Sequence, residues 1–295
     1  MRSLLFVPAD SDRKLAKAPT SGADVLILDL EDSVAAENKA AARQKAAEFL
    51  KSRPAGGPSL HVRVNGLESG LVEADLDAVV AAKPDAIVLP KANGGPDISL
   101  LSAMIAAREA IAGIDDGATK ILAIATESAG AIFRFATYKG SSARLAGLAW
   151  GSEDLSASLG AETNRDAAGA FTDPFRLART LCLYGAVDAG VAPIDQVFAN
   201  FRDTKALEAE ARAARRDGFT AKLAIHPDQI AVINQVFTPS ADQIARAEKV
   251  IAAFAENPGA GVIGLDGEML DLPHLVKAKA LLARAGQKGY KRLHS

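Results

Sequence analysis

Glu127 and Asp154 are the two side chains around which a reaction can be assembled. Each stands just beyond a short run of β-forming residues, at 121–125 and 145–149, so if those runs are adjacent strands the two carboxylates meet at one edge. Converging carboxylates repel one another unless a cation lies between them. An all-oxygen ligand set suits a hard ion, Mg²⁺ first and Mn²⁺ second, rather than zinc. Two protein carboxylates, water and substrate oxygens would complete an octahedron. A competing reading makes one of the pair a helix cap, because Asp154 precedes Leu155 and Glu127 precedes a helical run.

Arg63 lies in the alternating segment His61-Val62-Arg63-Val64-Asn65. A guanidinium on a buried strand is costly without an anionic partner. A substrate carboxylate gripped through two nitrogens would supply one; a structural ion pair with Glu31 or Asp32 would supply another. Asn65 and Lys91, at the ends of the third and fourth runs, join the substrate-facing set, and Glu31 and Asp32 stand behind the metal, holding its waters and pairing with Arg63. His226, before Pro227, is either a base or a histidine satisfied by backbone groups.

The elements that must position these groups are legible as an alternation. Strand-like runs fall at 3–7, 24–28, 60–64, 86–89, 121–125, 145–149, 193–198 and 222–225, with Ala-rich helical segments near 11–19, 35–51, 70–82, 97–112, 128–138, 172–189, 203–216 and 228–236. Eight strand–helix units predict a closed (β/α)₈ barrel, in which chemistry collects at the carboxyl ends of the strands. An open doubly wound sheet is the alternative, but no Gly-x-Gly-x-x-Gly turn follows the first strand and no phosphate loop of the Walker type is present. A further helix near 240–255 closes the barrel region at residue 256. A tail, 257–295, follows a Gly/Pro break, with Asp266-Gly267 and a last helix near 273–285. It reads as a lid or a subunit contact.

The whole chain narrows the classes. Its 295 residues carry 34 basic and 36 acidic side chains, for a formal charge of −2, without the basic block that nucleic acid would require. Cys182 is the single cysteine, which excludes an intrachain disulfide and a thiolate cluster, and it sits among leucines as a small buried hydrophobe. The apolar run before Pro8 is too short for a signal-peptide core, and no run approaches the roughly twenty residues of a membrane span. A cytoplasmic protein is expected.

Across residues 2 to about 285 the sequence resembles the citrate lyase β-subunit-like (HpcH/HpaI aldolase/citrate lyase) family of acyl-CoA lyases. The ordered motifs are Arg2-Ser3-Leu4-Leu5-Phe6-Val7-Pro8, Asp29-Leu30-Glu31-Asp32-Ser33-Val34, Arg63-Val64-Asn65, Leu89-Pro90-Lys91, Glu127-Ser128-Ala129-Gly130, Gly151-Ser152-Glu153-Asp154-Leu155, Lys222-Leu223-Ala224-Ile225-His226-Pro227 and Met269-Leu270-Asp271-Leu272-Pro273. The resemblance implies Mg²⁺ on Glu127 and Asp154, a substrate carboxylate on Arg63, and Arg13 and Lys17 beside the phosphates of coenzyme A. It also implies a homotrimer in which Asp271 reaches a neighbouring subunit's site. Where many members have glycine after Pro8 this chain has Ala9, which touches the thioester-binding loop more than the metal.

The reaction so implied is metal-dependent cleavage of a 3-hydroxy-3-carboxyacyl thioester, of the citryl-CoA or malyl-CoA type, into a 2-oxo acid and an acyl thioester, with thioester hydrolysis as an added activity. Two rivals stand beside it: a metal-dependent aldolase acting on free 2-oxo acids, and a non-catalytic thioester-binding subunit of a larger lyase complex. Dependence on coenzyme A separates the first, and activity of the purified chain the second.

Overall fold

The computed structural model describes residues 1–53 and 55–286. Eight parallel strands pair in sequence order and the last returns to the first, closing the expected barrel. They are β1 (Ser3–Pro8), β2 (Val25–Asp29), β3 (Ser59–Arg63), β4 (Ala86–Leu89), β5 (Lys120–Ile124), β6 (Leu145–Ala149), β7 (Ala192–Asp195) and β8 (Ala221–Ala224). Each overlaps one of the runs read from the sequence, because a barrel strand is buried on both faces and stands out as a short β-branched stretch.

Alternate residues turn inward. Leu4, Val25, Ile27, Val88, Leu122, Ile124, Ile194 and Leu223 fill the barrel, each contributing roughly 1.5–3 kcal/mol by leaving water. Gly147 is required here, since a Cβ would come within 2.8 Å of Leu122 Cδ2 and 2.9 Å of Ile194 Cδ1. The register slips by one between β5 and β6 at Ile121/Leu122, which sets how Glu127 and Asp154 leave neighbouring strands.

Helices α1 (Asp12–Lys17), α2 (Lys39–Lys51), α3 (Val72–Val79), α4 (Gly95–Ile111), α5 (Glu153–Leu159), α6 (Asp173–Asp188), α7 (Thr204–Asp217) and α8 (Ile230–Phe237) follow the strands. Two departures from the sequence reading occur. The segment expected as a helix at 128–138 is 3₁₀ over Ala131–Tyr138, and β6 is followed by a short extra helix, α5, before α6. No helix among the described residues is long and apolar enough to cross a membrane.

The chain divides into two compact units, Met1–Asn234 and Gln235–Ser295. In the second unit α9 (Ala241–Glu256) packs with α10 (Leu272–Arg284) around Val250, Phe254, Leu270 and Leu282. The helix that sequence reading attached to the barrel therefore shares its core with the tail, and the division falls before residue 256. Between α9 and α10 lies an antiparallel hairpin, β9 (Val262–Leu265) and β10 (Glu268–Asp271), that the sequence reading did not anticipate. Its two-residue turn is Asp266-Gly267, both at positive φ (51° and 82°), as a tight hairpin requires.

One interior histidine gives the barrel a pH dependence. His61 is buried on β3 with Nδ1 unpartnered and Nε2 3.1 Å from Ser59 Oγ. Burial pushes its imidazolium down to about 4. Because the folded value lies below the unfolded one, near 6.5, the unfolded chain binds the extra proton between them, and stability is complete above pH 6.5 and declines as pH falls toward 4. The loss attributable to His61 is about 3 kcal/mol. Urea unfolding of wild type and His61→Leu between pH 4.5 and 7 should show a shallower slope in the variant; parallel curves would refute this assignment.

Candidate active site

The carboxyl end of the barrel collects a dense polar group because strand register brings Pro8, Asp29 and Arg63 level with one another. Asp29 and Arg63 form a two-nitrogen pair, Nε to Oδ1 at 2.7 Å and Nη2 to Oδ2 at 2.6 Å. The third nitrogen, Nη1, lies 3.0 Å from Glu31 Oε2, and the guanidinium sits 4.7 Å over the Phe6 ring. Arg63 is 12% exposed and Asp29 1%. Its buried state is thus matched by two carboxylates, and the partner anticipated as Asp32 is instead Asp29, which the register places directly opposite. Asp32 has no ion pair with Arg63; its nearest cation is Lys91 at 3.5 Å.

Lys91 is the centre of this group. It adopts a left-handed backbone (φ 55°), unusual for a lysine, and so turns both its N–H and its ammonium toward the carboxylates. The N–H donates to Glu127 Oε2 and the ammonium donates to Glu31 Oε1, while Asp154 Oδ2 lies 3.0 Å from it. Burial works against this ammonium, yet its hydrogen bond to Glu31 and the adjacent Asp154 carboxylate win and hold its pKa above the ordinary range.

Glu127 and Asp154 arrive on loops fastened to each other. Thr126 Oγ1 donates to Gly151 O at 2.8 Å and accepts from Gly151 N–H at 2.8 Å. This link, absent from the sequence reading, ties the end of β5 to the end of β6. Asp154 lies in the first turn of α5, yet that helix has no side-chain cap, and Glu127 precedes the 3₁₀ segment without capping it. Neither carboxylate therefore does the capping work considered from sequence. Asp154 Oδ2 is buried without a well-aligned hydrogen bond. Burial, then the nearby charges of Asp154 and Glu31, push the Glu127 carboxyl up to about 8 despite the Lys91 N–H. The carboxylates of this group outnumber its two cations, Arg63 and Lys91, and oxygen donors of this kind fit a hard divalent ion. Among the described residues no three of His, Cys, Asp or Glu gather to hold an ion by themselves; a two-carboxylate site needs water or substrate oxygens to complete it.

A cavity of about 590 Å³ runs over this end of the barrel, lined by Phe6, Arg63, Glu127, Trp150 and Asp154 within and by Arg13, Lys14 and Lys17 of α1 on its exposed side. Lys14 belongs to the set that the sequence resemblance restricted to Arg13 and Lys17; one turn of helix brings all three to the same wall. A second cavity, on the other side of Glu127 and Asp154, is lined by Asn65, Lys91 and Glu31. Asn65 gives its amide hydrogens to Leu30 O (3.1 Å) and Asp75 Oδ2 (2.7 Å), so only its carbonyl oxygen remains for a ligand. His226 accepts from Asp228 N–H through Nδ1 at 3.2 Å and stacks on Phe201 at 4.4 Å, the backbone-satisfied state considered for it. Ala9 is fully buried and its N–H donates to Asp29 O at 3.1 Å, so the extra methyl is accommodated.

In the second unit, Asp271 is half-exposed at the start of α10, with Oδ1 2.6 Å from His274 Nδ1. The hydrogen bond from His274 holds this carboxyl below the ordinary range.

Comparison with known proteins decides the family. Residues 2–227 match the sequence profile of the HpcH/HpaI aldolase/citrate lyase family. The chain belongs to this family. Relatives include a (3S)-malyl-CoA thioesterase of Cereibacter sphaeroides, 35% identical over 96% of this chain and 94% of that protein. The mitochondrial citramalyl-CoA lyase of Rattus norvegicus is 32% identical over 96% and 86%. Among solved structures, CitE of Mycobacterium tuberculosis, in complex with magnesium, acetoacetate and coenzyme A, superposes with a TM-score of 0.76 at 33% identity, covering 97% of this chain and 98% of that one. The resemblance drawn from ordered motifs, the barrel and the lyase class are all borne out by these matches.

Proposed function

We propose that the chain is a Mg²⁺-dependent carbon–carbon lyase that cleaves a 3-hydroxy-3-carboxyacyl thioester of coenzyme A, of the malyl or citryl type, into a 2-oxo acid and an acyl thioester. The observation that carries this reading is one cavity with the Glu127 and Asp154 carboxylates at one part of its wall and Arg13, Lys14 and Lys17 at another. Relatives named for malyl-CoA and citramalyl-CoA, and a similar structure with magnesium and coenzyme A, support it.

When bound, the ion lowers the pKa of a chelated hydroxyl and stabilises the carbonyl that forms. Glu127 and Asp154 would hold it. Arg63, fixed by Asp29 and Glu31 and lining the cavity, would orient the substrate carboxylate, and Lys91 would balance the remaining charge. Arg13, Lys14 and Lys17 would hold the phosphates. In the cleavage the substrate hydroxyl gives up its proton, the electron pair of the broken bond passes to the carbon beside the thioester, and that carbon takes up a proton.

Asp271 serves this step from a neighbouring copy in a homotrimer, in a cytoplasmic enzyme. A specific observation also favours hydrolysis at the same site: a (3S)-malyl-CoA thioesterase is among the relatives, and Asp271 would then place the attacking water.

The test is turnover of malyl-CoA, citramalyl-CoA, citryl-CoA and free 2-oxo acids by the purified chain, with Mg²⁺ and with excess EDTA, following 2-oxo acid and free thiol together. Oxo-acid release that EDTA abolishes is the expected result. Thiol without oxo acid would replace the lyase by a thioesterase. Turnover of free 2-oxo acids alone would replace it by an aldolase, and silence toward all of them would leave a thioester-binding subunit.

A further inference from the structure

Behind the cavity, six side chains close a ring. The Trp150 indole N–H donates to Asp195 Oδ1 at 2.7 Å. Asp195 Oδ2 accepts from the Lys222 ammonium at 2.6 Å, and the same ammonium donates to Glu210 Oε1 at 3.0 Å. Glu210 Oε2 accepts from Arg165 Nη2 at 2.7 Å. The Arg165 guanidinium lies 3.8 Å over the Phe171 ring, and Phe171 meets Trp150 edge-on at 5.0 Å, which returns to the start. Trp150, Asp195 and Lys222 are buried almost completely.

The strands explain the placement. Asp195 and Lys222 are register partners on β7 and β8, facing away from the inward pair Ile194 and Leu223 and toward α7, which carries Glu210. Stability alone is a weak account of such a ring, since apolar side chains of similar volume commonly replace buried ion pairs without loss. What the ring joins is more informative. Trp150 begins the segment that runs through Gly151, Ser152 and Glu153 to Asp154, all on the cavity wall. Arg165 and Phe171 are the two feet of an excursion between α5 and α6, bridged to each other and closed by Asp166 N–H to Ala170 O at 2.9 Å. Just before it, Asn164 Nδ2 donates to Ser152 Oγ at 3.0 Å and Glu153 Oε1 at 2.9 Å.

We propose that this ring is a positioning device for Asp154: it locks the end of β6 and the excursion at 165–171 into one rigid body, so that Arg165 and Phe171, which are outside the cavity lining, set how tightly the carboxylate centre holds its cation. The affinity part rests on the reading of Asp154 as a metal ligand; the rigidity part does not.

The experiment compares wild type with Arg165→Gln and Phe171→Leu in the full chain, each altering the partly exposed side of the ring so that one remains if the other fails to fold. Amide hydrogen exchange is read over 150–172, and Mg²⁺ binding is read by calorimetry with the metal alone. Exchange at 151–154 should quicken about tenfold and the Mg²⁺ dissociation constant should rise about tenfold or more, as expected when a ligand's outer support is removed. Arg165→Lys should restore part of both. Faster exchange confined to 165–171, or faster exchange at 151–154 with unchanged Mg²⁺ affinity, would overturn the proposal. A wild type that binds no Mg²⁺ would instead sink the metal reading, and exchange at 151–154 would still decide whether the ring rigidifies that segment.

Discussion

Glu127→Gln and Asp154→Asn, each made singly, are expected to lower turnover of the thioester by at least about a thousandfold, while the melting temperature stays level or rises. The kinetic half follows from asking two carboxylates to hold the one group able to stabilise a developing oxyanion, a contribution of several kcal/mol at about 1.4 kcal/mol per decade. The stability half follows from the charges. Burial and the neighbouring Asp154 and Glu31 already push Glu127 up to about 8, so a neutral amide relieves repulsion that the fold now tolerates. Steady-state kinetics at saturating Mg²⁺ and differential scanning calorimetry on the same samples give both answers. Full activity in both variants would remove the metal from these residues.

Arg63→Ala should be the most damaging single change to stability in the barrel. It strands Asp29, 1% exposed, and Glu31 without the guanidinium that holds them, and removing one partner of a buried pair costs about 3–5 kcal/mol. For a unit of this size that is on the order of 10 °C in melting temperature, together with loss of substrate affinity. Arg63→Lys keeps one charge but not the two-nitrogen grip on Asp29, and should recover only part of the stability. A variant that melts like wild type yet binds substrate poorly would mean that the Asp29 pair is incidental and the arginine serves the ligand alone.

Much of this was legible in the residues themselves. A barrel strand announces itself locally, as Val25-Leu26-Ile27-Leu28 does, and the residue that follows it is the residue at the site; hence Arg63, Glu127 and Asp154 could be placed on one edge before any coordinates. What stayed hidden depends on register and on long-range partners. Asp29 was in view, but only the pairing of β2 with β3 sets it beside Arg63. Lys91 reads as one more strand-end cation until its left-handed backbone turns it into the carboxylates. The β9–β10 hairpin escaped because Gly264 interrupts an already short strand, although the Asp266-Gly267 turn was plain. The ring through Trp150, Asp195 and Lys222 spans separations of 45 and 27 residues, and no local period records it.

Lys91 among the carboxylates also bears on how such an enzyme comes into being. A nest of like charges with no resident counter-charge would tie the folding of the chain to the supply of its ion. Here the ammonium already answers Glu31 and Asp154, so the barrel can mature in metal-poor surroundings and acquire its ion afterwards. Because Asp154 is both a partner of Lys91 and a proposed ligand, an arriving ion would compete with the ammonium for that carboxylate, which favours a cation that comes and goes with its concentration over one locked in for the lifetime of the protein.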